Sequence, residues 1–232
     1  PPVGTITING GAPYTNTVGV TLGLTCADTG SGCSQMEFSN DGTPWSVPAS
    51  YVTTTAWNLS GSDGYRTVYA RFIDGDGNPS FPAAGASIVL DRMAPVTTAS
   101  PAGGTYPARS VNLNCVDATT TCSITYSIGS GTPVTGANSV MINLSTSGTY
   151  TVTYQATDAA INVEPLQSVT YVIDTNAPQI TNVAPASNSF VNSSTVNYTL
   201  NKLMTSGSGT IVFTRTGGSA DPSSPHIYTM TT

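Results

Sequence analysis

Apolar and polar residues alternate with a period of two along most of this chain. Near the start, Val18, Val20, Leu22, Leu24 and Cys26 alternate with glycine and threonine. Because successive side chains of a β-strand point to opposite faces, this pattern predicts strands with one buried face. The apolar spacing of three and four residues that is typical of a helix never persists for a dozen residues. We therefore predict an all-β fold with single helical turns at most.

The strand pattern repeats. The turn Asp74-Gly-Asp-Gly-Asn78 and the connector Val89-Leu-Asp-Arg-Met-Ala-Pro95 return as residues 158–162 and 172–178, and a Cys-x6-Cys pair precedes each copy. An internal period of roughly 85 to 90 residues predicts successive small domains. We predict repeat 1 over residues 1–92, repeat 2 over residues 93–175 and a partial repeat 3 over residues 176–232, which lacks the cysteines and the long strand of the other two.

The four cysteines form two local pairs, Cys26 with Cys33 and Cys115 with Cys122. Four cysteines allow three connectivities, and this one is favoured because each pair then falls within one repeat. The spacing matches no zinc or haem motif, so the pairs predict structural disulfides in an oxidising compartment. The chain shows no apolar run that could span a bilayer and no charged-then-apolar leader at Pro1, and we interpret it as a mature or excised piece of a secreted protein.

The charge of the chain limits the kinds of molecule that it is expected to bind. The formal net charge is −6 and Lys202 is the single lysine. Without a basic surface to follow phosphates, nucleic acid binding is disfavoured. Glu37 and Glu164 are the only glutamates, and an acidic complement made almost wholly of aspartate fits turns and loop-borne cation sites better than helix faces.

Several segments carry a family resemblance. Residues 5–11, residues 39–42 with Trp45, and residues 65–74 with the Asp-x-x-x-Asn turn look like tandem bacterial immunoglobulin-like repeats of cell-surface and extracellular proteins. Residues 94–106 and 114–117 are similar to the related fibronectin-III-like and chitobiase C-terminal-like accessory repeats, and residues 210–218 resemble part of another bacterial immunoglobulin-like type. The resemblance implies tandem immunoglobulin-like β-sandwiches, two complete and a third incomplete.

The aspartate-rich turns and connectors are candidate calcium sites, because calcium takes six to eight hard oxygen ligands. The resemblance implies that such repeats bind calcium near domain junctions, which stiffens the array. The alternative is that these side chains hydrogen-bond the backbone of their own turns, as we expect for Asp28 and Asp117 in the disulfide loops. The candidate calcium ligands are Asp74, Asp76, Asn78 and Asp91 in repeat 1, and Asp158, Asn162 and Asp174 in repeat 2, where Ala160 replaces Asp76.

Aromatic residues of repeat 1 suggest a second kind of site. Trp45 and Trp57, with Tyr51 and Tyr65, are candidates for a platform on which sugar rings stack. The alternative is a core tryptophan with tyrosines at its edge.

The sequence offers little for catalysis. The single histidine, His226, lies in repeat 3, and the two glutamates belong to different repeats, so no pair of carboxylates is expected for glycoside hydrolysis. No serine-hydrolase or zinc-protease motif is present. We therefore expect no enzyme active site.

These observations predict an extracellular array of immunoglobulin-like sandwiches of bacterial type that acts as a structural spacer or as a subunit of a surface fibre, filament or adhesin. No cofactor is required, and calcium is the candidate ion. Because repeat 3 lacks strands, we expect self-association in which a neighbouring subunit donates a strand. The alternative function is a carbohydrate-binding accessory module of a secreted glycosidase or adhesin.

Overall fold

The computed structural model describes residues 1–186, 195–203, 209–214 and 222–229. The chain divides into two compact units, Pro1–Asp174 and Thr175–Thr232. Regular structure in the described residues is β, apart from a single 3-10 turn at Asn9–Gly11, and none of their helices is long and apolar enough to cross a membrane. The predicted all-β fold is confirmed.

The first sandwich contains eight strands. In chain order they are β1 (Val3–Ile8), β2 (Tyr14–Thr15), β3 (Gly19–Ala27), β4 (Cys33–Ser39), β5 (Ala49–Ser50), β6 (Thr54–Asn58), β7 (Gly64–Asp74) and β8 (Ala84–Leu90). One sheet has the order β1-β3-β6 and the other the order β2-β8-β7-β4-β5. The short β2 runs parallel to β8, so the chain changes sheets between β1 and β2. Two mainly antiparallel sheets packed face to face form an immunoglobulin-like sandwich.

The second sandwich repeats this topology strand for strand. Its strands are β9 (Val96–Ser100), β10 (Gly104–Tyr106), β11 (Arg109–Val116), β12 (Cys122–Ile128), β13 (Val134–Gly136), β14 (Ser139–Leu144), β15 (Gly148–Asp158) and β16 (Gln167–Ile173). The sheet orders are β14-β11-β9 and β10-β16-β15-β12-β13. Each strand takes the place of the strand eight numbers earlier, so the tandem immunoglobulin-like organisation is confirmed.

Each sandwich has a core of its own. The apolar residues of the alternating pattern are the ones that are buried. Val20, Leu22 and Leu24 face inward on β3, as Val111 and Leu113 do on β11. Full burial of a side chain of this size contributes roughly 1.5 to 3 kcal/mol, which makes these inward rows the main source of stability.

Both predicted disulfides form, and they occupy equivalent places. Cys26 is the second-to-last residue of β3 in the three-stranded sheet and Cys33 begins β4 in the five-stranded sheet, with 6.3 Å between the Cα atoms. Cys115 and Cys122 are joined in the same way across 6.5 Å. Each disulfide therefore ties the two sheets of a sandwich together at one end.

We call that end the entry pole, because β1 and β9 begin there. It carries the disulfide loop and the turn after β7 or β15, since Cys33 pairs with Asp74 and Cys122 with Asp158. The opposite end is the exit pole, where β8 or β16 ends.

The second unit forms two separate two-stranded sheets in the described residues. Strand β17 (Ile180–Ala184) pairs with β18 (Asn197–Leu200), and β19 (Thr210–Phe213) pairs with β20 (His226–Thr229).

Candidate functional site at the sandwich junction

The turn carboxylate and the connector carboxylate of one repeat lie at opposite poles. Leu90 pairs with Gly64 at the start of β7, whereas Asp74 is the last residue of that strand. At about 3.3 Å per residue, Asp74 and Asp91 are roughly 30 Å apart. This corrects the grouping of Asp74, Asp76 and Asn78 with Asp91: β8 is antiparallel to β7, and therefore ends where β7 begins.

The same register separates the residues grouped in repeat 2. Ile173 pairs with Gly148 at the start of β15, and Asp158 ends that strand. Asp174 therefore lies at the exit pole of the second sandwich, away from Asp158 and Asn162 at its entry pole.

Asp91 instead meets two carboxylates of the next sandwich. Asp91, Asp117 and Asp158 each place a carboxylate oxygen within 4.8 Å of the other two, the one such acidic set in the described residues. Asp117 lies in the disulfide loop and Asp158 ends β15, and both belong to the entry pole of the second sandwich. Asp91 has no exposed surface and Asp158 is buried. We refer to these three residues as the junction carboxylates.

Hydrogen bonds fix Asp91 to both sandwiches. Its backbone N–H donates to the Thr15 carbonyl of the first sandwich at 2.9 Å. From the second sandwich, the Thr120 hydroxyl donates to Asp91 Oδ2 at 2.9 Å, and Asn162 Nδ2 donates to the Asp91 carbonyl at 2.8 Å. The connector is therefore part of the interface.

The other two junction carboxylates also order their own loops. Asp117 Oδ1 accepts hydrogen bonds from the backbone N–H groups of Thr119 and Thr120 at 2.9 and 2.7 Å. Asp158 Oδ1 accepts from Asn162 N–H at 2.8 Å, and its Oδ2 accepts from Asn162 Nδ2 at 2.8 Å. Turn formation and the junction thus depend on the same side chains.

The electrostatics of Asp91 follow from its position. Burial raises the pKa of its carboxyl group, and the negative charges of Asp117 and Asp158 raise it further. The Met93 N–H and the Thr120 hydroxyl act in the opposite direction by stabilising the carboxylate. Burial and the neighbouring negative charges therefore destabilise the ionised form of Asp91, and a bound proton or cation would offset this effect.

The equivalent turn of the first sandwich shows the simpler arrangement. Asp74 Oδ1 accepts from the backbone N–H groups of Asp76 and Asn78 at 3.0 and 2.8 Å, and Asn78 Nδ2 donates to both carboxylate oxygens. The side-chain and then the backbone hydrogen bonds of Asn78 lower the pKa of Asp74. Asp28 Oδ2 accepts from the N–H groups of Gly30 and Gly32, as expected for a loop-shaping residue.

The structure places the aromatic candidates on different surfaces. Trp57 packs against the core, 5.4 Å from the Phe38 ring, and its Nε1 donates to Asn40 Oδ1 at 3.0 Å. Trp45 lies beneath the Arg71 guanidinium, 4.5 Å from the ring centroid, on the outer face of the five-stranded sheet. The two indoles share no strip.

The remaining residues of interest have local partners. Arg71 pairs with the buried Glu37. Glu164 is also buried, and its carboxylate accepts from Thr97 N–H at 2.8 Å, the Thr97 hydroxyl at 2.6 Å and Ala156 N–H at 3.1 Å. His226 is exposed on β20.

Sequence reasoning identified Asp91 and Asp158 but did not place Asp117 beside them. The signal was present, since Asp117 follows Cys115 by two residues and the disulfide loop shares a pole with the turn at Asp158. The sequence pattern does not contain the antiparallel register of β7 and β8, which places the connector beside the next sandwich.

Comparison with known proteins gives distant structural neighbours. No protein-family model and no curated protein sequence matches this chain. Among solved structures, it is similar to fibronectin(III)-like modules of Clostridium thermocellum CbhA, at 12% identity and a TM-score of 0.43 over 73% of this chain and 94% of that chain. It is also similar to the D00-D0 domain of intimin, at 15% identity and a TM-score of 0.40 over 73% and 100% of the two chains. A tetra-tandem repeat in the extending region of a large adhesion protein matches at 16% identity and a TM-score of 0.33 over 78% and 51%.

Proposed function

We propose that this chain is a stiff spacer segment of an extracellular fibre or adhesin. The observation that carries the proposal is the buried Asp91, whose backbone and side chain are bonded to both sandwiches. A connector held on both sides resists bending, whereas a solvated connector acts as a hinge.

The residue after Asp91 strengthens the attachment to the first sandwich. Arg92 donates from its backbone N–H and from Nε to the Asp63 carboxylate, at 3.1 and 2.6 Å. The Arg92 backbone hydrogen bond is the main cause of the lowered pKa of Asp63. Bending at the junction must therefore occur by breaking the contacts of Thr120 and Asn162 with Asp91, at about 0.5 to 3 kcal/mol each.

Localisation outside the cell is supported by the disulfides. The described residues contain no free cysteine, and both disulfides lie within single sandwiches. Disulfides of this kind persist in oxidising compartments and stabilise small domains there.

The stiffness is tested by NMR relaxation of the full chain, which measures the tumbling of each sandwich. We expect the two sandwiches to tumble together in the wild type, and Asn162→Ala to let them reorient separately. Asn78→Ala is the matched control, because Asn78 makes the same turn contact without touching a connector. Separate tumbling in the wild type, or equal effects of the two substitutions, would contradict a stiff junction.

We also propose that the junction carboxylates bind a calcium ion. The oxygens available are those of three carboxylates and the Thr120 hydroxyl, a set suited to a hard cation, and a divalent charge would offset the repulsion at Asp91. Millimolar CaCl2 should raise the thermal midpoint by a few degrees over NaCl of equal ionic strength. Asp91→Asn should abolish this rise, whereas Asp74→Asn should keep it; an equal midpoint in both salts for the wild type would rule the site out.

Self-association remains a prediction. In the described part of the second unit, β17, β19 and β20 expose Ile180, Val183, Val212 and Ile227, and apolar strands of this kind can pair with another chain. Sedimentation velocity over a wide concentration range tests it, and a species that stays monomeric throughout would contradict strand exchange.

A further inference from the structure

A groove of about 500 Å³ lies at the exit pole of the first sandwich, where β7 begins. Its lining includes Asp41, Tyr65, Arg66, Thr67 and Tyr69. The groove is open and mostly polar, so its chemistry is unlike that of a pocket for an apolar ligand.

Two tyrosines give the groove flat aromatic surface. Tyr65 and Tyr69 alternate on β7 with inward residues such as Val68 and Ala70, so both rings lie on the outer face of the sheet. Tyr65 is 77% exposed. Their Cα atoms are about 13 Å apart along the strand, by the rise of a β-strand.

A glycine lies beside one of the rings. Gly85 pairs with Tyr69 on the neighbouring β8, and a Cβ at Gly85 would lie 3.4 Å from Tyr69 Cδ1. A side chain at this position would crowd the edge of the Tyr69 ring, so the glycine leaves room for the ring beside β8. Tyr69 is half-buried at this place and borders the groove.

Polar groups also line the groove. The Thr67 hydroxyl lies between them and pairs with Ser87 Oγ at 2.8 Å. Arg66 is anchored by donating from Nε to the Ser62 carbonyl at 2.7 Å and from Nη2 to the Asp63 carbonyl at 3.2 Å. Asp41 is exposed and also lines the groove. Hydroxyl, carboxylate and guanidinium groups all hydrogen-bond to alcohols.

We propose that this groove binds an oligosaccharide of uncharged sugars, a role beyond that of a spacer. Each sugar ring has an apolar face of C–H groups, which stacks on an aromatic face, and a rim of hydroxyls, which bonds to polar side chains. The groove offers two rings, a hydroxyl pair between them and a carboxylate and a guanidinium at its walls. Its open form accommodates a chain that continues beyond the contacted sugars.

The test is isothermal titration of the full chain with four soluble hexasaccharides: those of β-1,4-glucose, β-1,4-N-acetylglucosamine, β-1,4-xylose and α-1,4-glucose. We expect at least one to bind. Tyr69→Ala and Tyr65→Ala should each weaken that binding at least tenfold, whereas Tyr69→Phe, which keeps the ring, should retain most of it. Phe81→Ala is the control, because Phe81 is an exposed aromatic residue of the same sandwich outside the groove lining.

Circular dichroism confirms that each variant is folded before titration. Binding that survives both alanine substitutions, or none of the four sugars binding, would overturn the proposal. A proline-rich peptide that binds the same tyrosines while all four sugars fail would also overturn it, since such peptides dock on aromatic grooves by a different chemistry. Tyr65 pairs with Val89 close to the connector, but the hydrogen bonds that hold Asp91 and Arg92 involve neither tyrosine, so failure here leaves the spacer proposal standing.

Discussion

Asp91 and Asp74 are the same residue type at opposite poles of the first sandwich, and their surroundings shift their pKa values in opposite directions. Burial, followed by the charges of Asp117 and Asp158, raises the pKa of Asp91. Hydrogen bonds from Asn78 lower the pKa of Asp74. A raised carboxyl pKa means that the folded state binds the proton more tightly than the unfolded chain, and a lowered one means the reverse.

These two pKa shifts determine how the stability of the folded state changes with pH. Asp91 reduces stability as the pH rises from the ordinary aspartate pKa of 3.8 through its raised folded value. Asp74 contributes stability above that ordinary pKa, which is lost as the pH falls through its lowered folded value. We therefore expect Asp91→Asn to raise the free energy of unfolding at neutral pH without divalent cations, and Asp74→Asn to lower it.

Urea unfolding at several values between about pH 3 and pH 8 checks both signs. The difference between Asp91→Asn and the wild type should grow as the pH rises and vanish in acid. If Asp91→Asn is less stable than the wild type at neutral pH, the carboxylate is a net stabiliser and the repulsion argument fails.

The backbone of Ile161 departs from the conformation that its residue type prefers. It has φ = 71° in the turn after β15 and is 74% exposed, whereas Gly77 holds the matching place after β7 with φ = 85°. A β-branched residue in the left-handed region costs about 1 to 2 kcal/mol, which glycine avoids.

We expect Ile161→Gly to stabilise the second sandwich by about 1 kcal/mol, after the greater freedom of glycine in the unfolded chain is counted. The reciprocal substitution Gly77→Ile should destabilise the first sandwich by a similar amount. Thermal unfolding of both variants measures the effect. A loss of stability in Ile161→Gly would show that the exposed side chain makes contacts worth more than the strain.

At the scale of elements, the disulfide loop of the second sandwich is also the surface that receives the connector. The loop closed by Cys115 and Cys122 contains both Asp117 and Thr120. The same loop in the first sandwich, closed by Cys26 and Cys33, shapes itself around Asp28 without meeting the connector at residues 91–95.

Removing the second disulfide should therefore have an effect that removing the first does not. Replacing Cys115 and Cys122 with alanine should cost roughly 2 to 3 kcal/mol of stability, from the entropy of a short loop. It should also speed hydrogen exchange at residues 91–93. Replacing Cys26 and Cys33 should lower stability by a similar amount and leave hydrogen exchange at the connector unchanged. Equal exchange at residues 91–93 in the two variants would show that the second disulfide loop does not hold the connector.

The elements and the site differ in how far the sequence predicts them. The alternation at Val20, Leu22 and Leu24 predicts a strand because one inward row is enough to define it. The partner of Asp91 depends on which pole each strand reaches, and that is set by an antiparallel register that no local pattern contains. The contrast between Trp45 and Trp57 has the same origin, because burial of Trp57 is decided by its position on β6 facing Phe38 across the sandwich.

At the scale of the whole molecule, the two sandwiches within Pro1–Asp174 have separate apolar cores and share a polar junction. A polar junction transmits orientation, but it buries little of the apolar area that makes unfolding cooperative. The first sandwich should therefore be able to lose its core while the second keeps its own. In the proposed spacer role, this independence would let one module yield under load while the other stays folded.

The substitution Phe72→Ala tests this independence. Phe72 has no exposed surface, and its ring packs so closely on β1 that a Cβ at Gly4 would lie 2.3 Å from it, so truncation should cost about 3 to 5 kcal/mol in the first sandwich. Hydrogen exchange should then increase throughout the first sandwich and at residues 117–121, while β11 and β15 keep their protection. Phe81→Ala, an equal truncation of a 95% exposed side chain, should change neither. Loss of protection in β11 and β15 would show that the two sandwiches unfold as one cooperative body and would contradict their independence.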